Sequence, residues 1–409
     1  MSDTRARHRH PRRATSRARA ARRGVEAVAA VVSLVLFVGS AIAWYNYRAL
    51  DSGIKSIHID GLGGPVTPGD GGSGPARPAG KDQNILIVGD DSRAGLTAAE
   101  GRKLSTGTAQ GTTSTDTLLL VHVPADGSRS TLISIPRDSY VDIPGHPRAK
   151  INAAYADGYY YTDGATTPAQ RQAAGVDLLV ATVKKLTGVP IDHYVQIGFA
   201  GFEKVVTAIG GIDVNLCHAV DDTVAYNREH GGNGGSGFVS PAGLHHLDPV
   251  RALQFVRQRH NLPGIGDDLG REKRQRYFLS AAFQQVLSAR ILLDPLKLND
   301  TVQAIAGAFV KDDGFSLVSF AQQMASLSAG GITGATVPTG GAQDVSGVGS
   351  VLMVDPAKVQ LAVHRAFYGS PAPSRTAAPS TSGPVRTTTP TAPIPHPSTS
   401  VPVTAHCVD

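Results

Sequence analysis

Between Ala27 and Tyr45 nineteen residues run without a charge (AVAAVVSLVLFVGSAIAWY), close to the ~20 that a helix needs to cross a ~30 Å hydrocarbon core. Such a run divides the chain into a part before it, a part within a bilayer, and a part beyond. Nine arginines crowd residues 1–23 against one acid, Asp3, while Trp44, Tyr45 and Tyr47 stand at the far end. Basic residues favour the cytoplasmic side and aromatics the interface, so the pattern predicts a cytoplasmic N-terminus and everything after residue 48 outside. Ala41-Ile42-Ala43 also fits a leader cleavage site, the alternative reading of the same run. Both place the main domain outside the cytoplasm, where no ATP is at hand and group transfer needs an already activated donor.

The charge follows this division. The 409 residues sum to +6, a balance that by itself suggests a nucleic-acid or membrane-surface partner. The tail 1–23 holds +8 of it, which leaves −2 for all that follows. With the main domain outside the cell and no folded reader in the tail, a nucleic-acid partner is disfavoured. At 41% hydrophobic the chain has ample core, which excludes disorder as its main state.

The organisation reads as a basic cytoplasmic tail (1–26), a transmembrane helix (27–47), a Gly/Pro-rich linker (48–80), a folded domain (81–370) and a disordered Pro/Ser/Thr-rich tail (371–409). Residues 371–406 hold 22 Pro, Ser or Thr and no acid. In the domain, short apolar runs at 85–88, 117–123, 131–135 and 189–197 read as strands. Helical spacing marks 168–187, 199–209, 248–258, 268–290, 294–309, 315–328 and 355–368, with further strands at 332–338 and 349–354. The alternation predicts an α/β sandwich with a central mixed β-sheet flanked by helices. Cys217 and Cys407 are too few for a disulfide scaffold; Cys217 reads as core, and whether the two meet is left open.

Three places carry chemistry. Asp90 and Asp91 follow a buried strand and Asp116 opens the next, so their carboxylates converge if the strand ends are neighbours. A hard cation such as magnesium suits that pair, taking one or two carboxylates and leaving the rest to phosphates and water; acids at strand ends are equally common in plain turns. Arg137 and Asp138 close the third strand, either as an ion pair or as a guanidinium fork for phosphate oxygens. Downstream, Arg257 and Arg259 end one helix, and Arg271, Arg274 and Gln275 share a face of the next, near an N-terminus that favours anions. Arg257 and Arg259 lie about 200° apart on an ideal helix, so both face one ligand only if the helix breaks between or just after them. A solvated salt-bridge network through Asp267, Asp268 and Glu272 is the plainer account of that cluster.

Taken in order, NILIVGDDSR (84–93), STDTLLLVHV (114–123), LISIPRDSYVDIPG (132–145), KINAAYADG (150–158), LTGVPIDHYVQIGFAGFEKVVTAIGGIDV (186–214), RALQFVRQR (251–259) and DDLGREKRQRYFL (267–279) resemble the LytR-CpsA-Psr family. The resemblance implies a membrane-anchored phosphotransferase that moves a glycopolymer of teichoic acid, arabinogalactan or capsule type from a polyprenyl-pyrophosphate carrier to a hydroxyl of peptidoglycan, with Mg2+. It makes Asp91 and Asp116 the magnesium-linked carboxylates. It makes Arg137, Arg257, Arg259 and Gln275 pyrophosphate contacts, with Arg93, Asp138, Arg271 and Arg274 around them. One departure stands out: where the family carries Arg-Ser-Asp-Thr, this chain has Ser114-Thr115-Asp116-Thr117. Either the loop before it supplies Arg102 or Lys103 instead, or the enzyme handles a different donor or is less active; the same departure keeps open a non-catalytic scaffold that holds the lipid-linked polymer.

Overall fold

The computed structural model describes residues 54–63, 82–91, 115–125, 129–232, 234–261, 267–288, 301, 303–305, 307–316, 320, 332–369 and 407–408. All lie in a unit that begins at Gly53. The expected span at 27–47, Arg93 and the loop 92–114 fall outside these residues. Among the described residues no helix is long and apolar enough to cross a membrane.

The chain forms β1 (Lys55–Ile57), β2 (Gln83–Asp90), β3 (Thr115–Val123), β4 (Ser130–Ser134), β5 (Ser139–Val141) and β6 (Ala149–Lys150), then helices α1 (Ala153–Tyr161) and α2 (Pro168–Thr187). Next come β7 (His193–Ile197), α3 (Phe199–Ala208), β8 (Ile212–Leu216), β9 (Val220–Asp221), α4 (Val224–Glu229), β10 (Val239–Ser240), β11 (Gly243–Leu247), α5 (Pro249–Arg257) and α6 (Asp267–Ser288). β12 (Phe309–Asp312), β13 (Ile332–Thr336), β14 (Ala342–Val345), β15 (Gly349–Met353) and α7 (Pro356–Tyr368) complete the order.

Seven strands make one mixed sheet in the order β1-β12-β7-β2-β3-β4-β13. β2 runs parallel to β7 and antiparallel to β3, and β3 is antiparallel to β4. Successive side chains on a strand face opposite ways, which sorts the sheet's residues into two cores. Leu86, Val88, Leu118, Leu120, Ile133 and Ile135 pack with α2 and α7 through Leu179, Val183, Val359 and Val363. Their neighbours Ile85, Leu119, Val121 and Leu132 face the other way, towards Val195 and Phe315. A third cluster joins β8, β11, α3, α5 and α6.

Local signals account for the best-formed helix. Thr167 caps α2 by accepting from the Gln170 backbone N–H, Gln170 reaches back to the cap, Pro168 opens the first turn and Gly188 closes the last in a left-handed conformation. A cap of this kind is worth about 1 kcal/mol. α1 lies hard against α2 because Gly158 and Gly175 stand at the crossing; a Cβ on Gly175 would come within 2.8 Å of the Tyr155 carbonyl oxygen.

Three expectations are corrected. The linker reading of 48–80 fails over 54–63: β1 pairs in parallel with β12, and Ile57 and Ile59 are buried in the core beside α2. Cys217 is half-buried and bonded to Cys407, so it is not a core thiol. The tail reading of 371–409 fails at its end, where Val408 donates to Asn215 O at 2.8 Å and accepts from Cys217 N at 3.0 Å, adding a bridge beside Leu216. A further difference lies at 309, where the helical pattern expected to run from 294 gives way to β12.

Candidate functional site

Strand directions bring the candidate residues to one edge of the sheet. β2 and β7 leave it together, with Gly89 opposite Ile197. β3 enters at the same edge with Thr115 opposite Asp90, and β4 leaves there with Ser134 opposite Leu119. Ile135 N donates to Leu118 O at 2.9 Å, so two residues further on Arg137 arrives beside Asp116.

There the side chains form a chain of alternating charge. Arg137 Nη1 donates to Asp116 Oδ1 at 2.7 Å, and Arg137 Nε stands 3.5 Å from Asp138 Oδ2. Lys150 Nζ, at the end of β6, stands 2.9 Å from the other oxygen of Asp138. All four side chains are only 17–33% exposed, so the charges are screened less than on an open surface. Holding the guanidinium from two sides fixes its plane, which a flexible surface arginine lacks.

The end of β2 carries a second set of groups. Gln196 donates its amide to Asp90 Oδ2, and Tyr194 Oη donates to Gln196 Oε1 at 3.1 Å. Burial raises the Tyr155 hydroxyl well above its ordinary pKa, and the Asp90 charge adds to it. Burial raises Tyr194 as well, with Tyr155 and Asp90 adding to it. Asp91 follows half-buried. Among the described residues no group of three or more His, Cys, Asp or Glu gathers as for a metal ion. The donor chemistry at this edge suits magnesium only in its usual sparse mode, one or two carboxylates with phosphate and water completing the shell.

Of the downstream arginines, Arg257 is the one placed beside the end of β7. Phe199 opens α3 two residues after β7 ends, and the Arg257 guanidinium lies 5.4 Å from its ring. α5 stops at Arg257, and Gln258 turns extended with ψ 132°, so the helix breaks between Arg257 and Arg259. Arg259 is half-buried. On α6 the structure places Arg271 and Arg274 in the interior, at 5% and 0% exposure. The Arg274 guanidinium sits 4.8 Å from the Phe255 ring. Gln275 is half-buried beside them. Arg276, which sequence reasoning passed over, donates to Ser134 Oγ at 3.2 Å and to Thr336; burial lowers its pKa. Lys150, Gln196 and Tyr155 were missed as well. Nothing but the motif KINAAY around Lys150 and Tyr155 could have marked two of them, since a lone lysine or tyrosine has no spacing signature.

Comparison with known proteins gives concordant results. The model of the LytR_cpsA_psr family matches residues 71–362. The chain is 34% identical over 328 residues to "Cell wall biosynthesis protein LcpA" of Corynebacterium glutamicum, covering 76% of this chain and 59% of that protein. It is 28% identical over 259 residues to the "Polyisoprenyl-teichoic acid--peptidoglycan teichoic acid transferase TagU" of Bacillus cereus, covering 62% and 68%. The chain thus spans less than two thirds of the length of the corynebacterial relative. Among solved structures, B. subtilis TagV superposes with a TM-score of 0.51 at 22% identity, over 71% of this chain and 99% of that one. Protein gbs0355 of Streptococcus agalactiae gives 0.53 at 20%, over 72% and 90%. At such identities the two structures speak for the fold alone.

Proposed function

The chain belongs to the LytR-CpsA-Psr family, and on that premise we propose that it is a membrane-anchored, extracytoplasmic phosphotransferase joining a glycopolymer to peptidoglycan. Its donor is the polymer on a polyprenyl-pyrophosphate carrier, and its acceptor is a peptidoglycan hydroxyl. The observation that carries the reading is the half-buried run Asp116–Arg137–Asp138–Lys150 at the edge where β2, β3, β4 and β7 meet. Two relatives point the same way by name, a cell wall biosynthesis protein and a teichoic acid transferase.

The chemistry asks for little covalent help from the protein. The acceptor oxygen bonds to the phosphorus that bears the polymer, the bond from that phosphorus to the bridging oxygen breaks, and polyprenyl phosphate leaves with the electron pair. Charge on the transferred group must be neutralised and the two oxygens held in line. Arg137, aimed by Asp116 and Asp138, supplies one fixed guanidinium; Arg257 and Arg259 supply others across the edge, and preorganised donors of this kind need no rearrangement as charge develops. Asp91 and Asp116 are the carboxylates that would hold magnesium, whose charge would offset that of the pyrophosphate. Asp138 is already engaged by Arg137 and Lys150, which makes it a poor acceptor for the hydroxyl's proton.

The test uses the full-length chain in detergent with a polyprenyl-pyrophosphate-linked oligosaccharide, magnesium and peptidoglycan. The expected result is release of lipid phosphate together with attachment of sugar to the acceptor. Arg137→Ala and Arg257→Ala should each abolish attachment while the protein stays folded. Tight donor binding with no release would make the protein a scaffold, the alternative that Ser114 in place of the family arginine keeps open.

A further inference from the structure

The helix break after Arg257 does not follow from helix propensity. Gln258, Arg259 and His260 are all compatible with a helix, and Pro263 lies too far on to end it at 257. One local tie spans the break, the buried Gln258 amide donating to His260 O at 3.0 Å, and the rest are tertiary. Asn261 adopts φ +60°, a conformation that only a few residue types tolerate. Its side-chain amide donates to Asp221 O at 2.7 Å and to Asn227 Oδ1 at 3.1 Å. His260 Nδ1 stands 3.3 Å from Asp222 Oδ1. Asp222 is fully buried; its carboxylate also accepts from Asn227 Nδ2 at 2.7 Å and from Ser236 N at 2.9 Å.

A carboxylate buried to that degree is costly unless its oxygens are filled. One of those partners is the residue directly after Arg259. The chain at Asp222 is itself tied to α5, since Asp222 N donates to Phe238 O at 2.8 Å and the Phe238 ring meets Phe255 edge-on at 5.6 Å. Helix and break are therefore gripped by the same few residues.

We propose that Asp222, Asn227, His260 and Asn261 form a positioning unit that holds the chain break after Arg257, so that Arg257 and Arg259 face one anionic group. None of the four touches the ligand; they act through Arg259. The inference rests on the reading of this edge as a pyrophosphate site and extends it to residues that carry no phosphate contact of their own.

Two variants separate positioning from plain stability. Asp222→Asn keeps the shape but sets an amide against the Ser236 N–H. Asn261→Gly keeps the left-handed backbone and removes only the side-chain ties. Full-length protein in detergent is titrated with inorganic pyrophosphate and magnesium, and assayed for lipid phosphate release. Each variant should weaken pyrophosphate binding and raise KM about tenfold, with kcat within about threefold and an unchanged melting temperature for Asn261→Gly, the pattern of a lost binding contact. In the Arg259→Ala background neither variant should weaken binding further, because the residue they aim is gone. Losses that multiply in the double variants, or affinity within twofold of wild type in both singles, overturn the proposal. If wild type itself binds no pyrophosphate, the functional reading falls and this inference with it. Binding by wild type with additive losses sinks the inference alone.

Discussion

Two arms carry the candidate arginines, Arg137 in the first and Arg257 with Arg259 in the second, and they are held by different means. Arg137 is aimed by side chains it touches, Asp116 at 2.7 Å and Asp138 at 3.5 Å. Arg257 and Arg259 are aimed by the path of the backbone at Gln258, which other segments pin. Direct contact makes the first arm sensitive to any change of charge within the run. Backbone placement makes the second sensitive to changes well outside it, including the end of the chain at Cys407. The difference gives each arm its own signature: loss of rate without loss of stability in the first, and loss of stability or binding in the second.

The sharpest break comes from Arg137→Ala. Removing one preorganised donor in a water-poor site costs on the order of 10²–10³ in rate, so transfer of polymer should fall by that factor or more. Thermal unfolding should stay near wild type, since the side chain is only part-buried. A variant that keeps near-normal transfer would show that the first arm does not touch the reacting phosphate.

Next in size is Cys407→Ser, which acts on the frame of the second arm. The bond closes a loop across 190 residues onto the end of β8, and β8 pairs with β11 just before α5. Loss of such a crosslink typically costs about 2–5 kcal/mol. A fall in melting temperature with early hydrogen exchange at Ile212–Leu216 is expected, together with weaker pyrophosphate binding. Unchanged exchange there would separate the tail from the arm.

Sequence made one arm more legible than the other for a physical reason. Short-range features write themselves into spacing: the Thr167/Gln170 cap and Gly188 fix α2 at 168–187 as expected. The apolar runs locate β2, β3 and β4, so Asp90, Asp91, Asp116 and Arg137 could be assigned to strand ends before any coordinates. Long-range pairings leave no such trace. β1 is three residues long and gains its place from β12, more than 250 residues on; Cys217 needed Cys407; Lys150 needed Asp138. Asp222 reads as an ordinary loop acid, and only burial at 0% exposure reveals its role.

Asp138→Asn should have a smaller effect than Arg137→Ala while still marking the first arm. It removes the counter-charge shared by Arg137 and Lys150, so Lys150 loses this carboxylate and Arg137 keeps Asp116, while neither cation is deleted. A loss of roughly tenfold in transfer is expected, the scale of one coupled pair of about 1.4 kcal/mol, with stability little altered. A loss as large as that of Arg137→Ala would mean that Asp138 itself handles the acceptor's proton.

The smallest expected effect tests whether a carboxylate matters only when a cation needs it. Asp177 on α2 accepts from the Asp60 N–H at 3.0 Å, and burial raises its pKa, with the neighbouring Asp60 charge adding to it. A carboxyl whose folded pKa exceeds its unfolded value favours the folded state fully below the unfolded pKa of 3.8. That contribution is lost as pH rises through the folded pKa. Asp177→Asn should therefore flatten the acid limb of the stability curve and leave the protein no less stable at neutral pH, with transfer unchanged. Asp138→Asn, by contrast, strips a charge that two cations use. If chemical denaturation across pH 3–7 showed Asp177→Asn to be the more damaging of the two at neutral pH, the anchoring of residues 54–63 on α2 would depend on the charge itself, and the division between directly held and backbone-held groups would need redrawing.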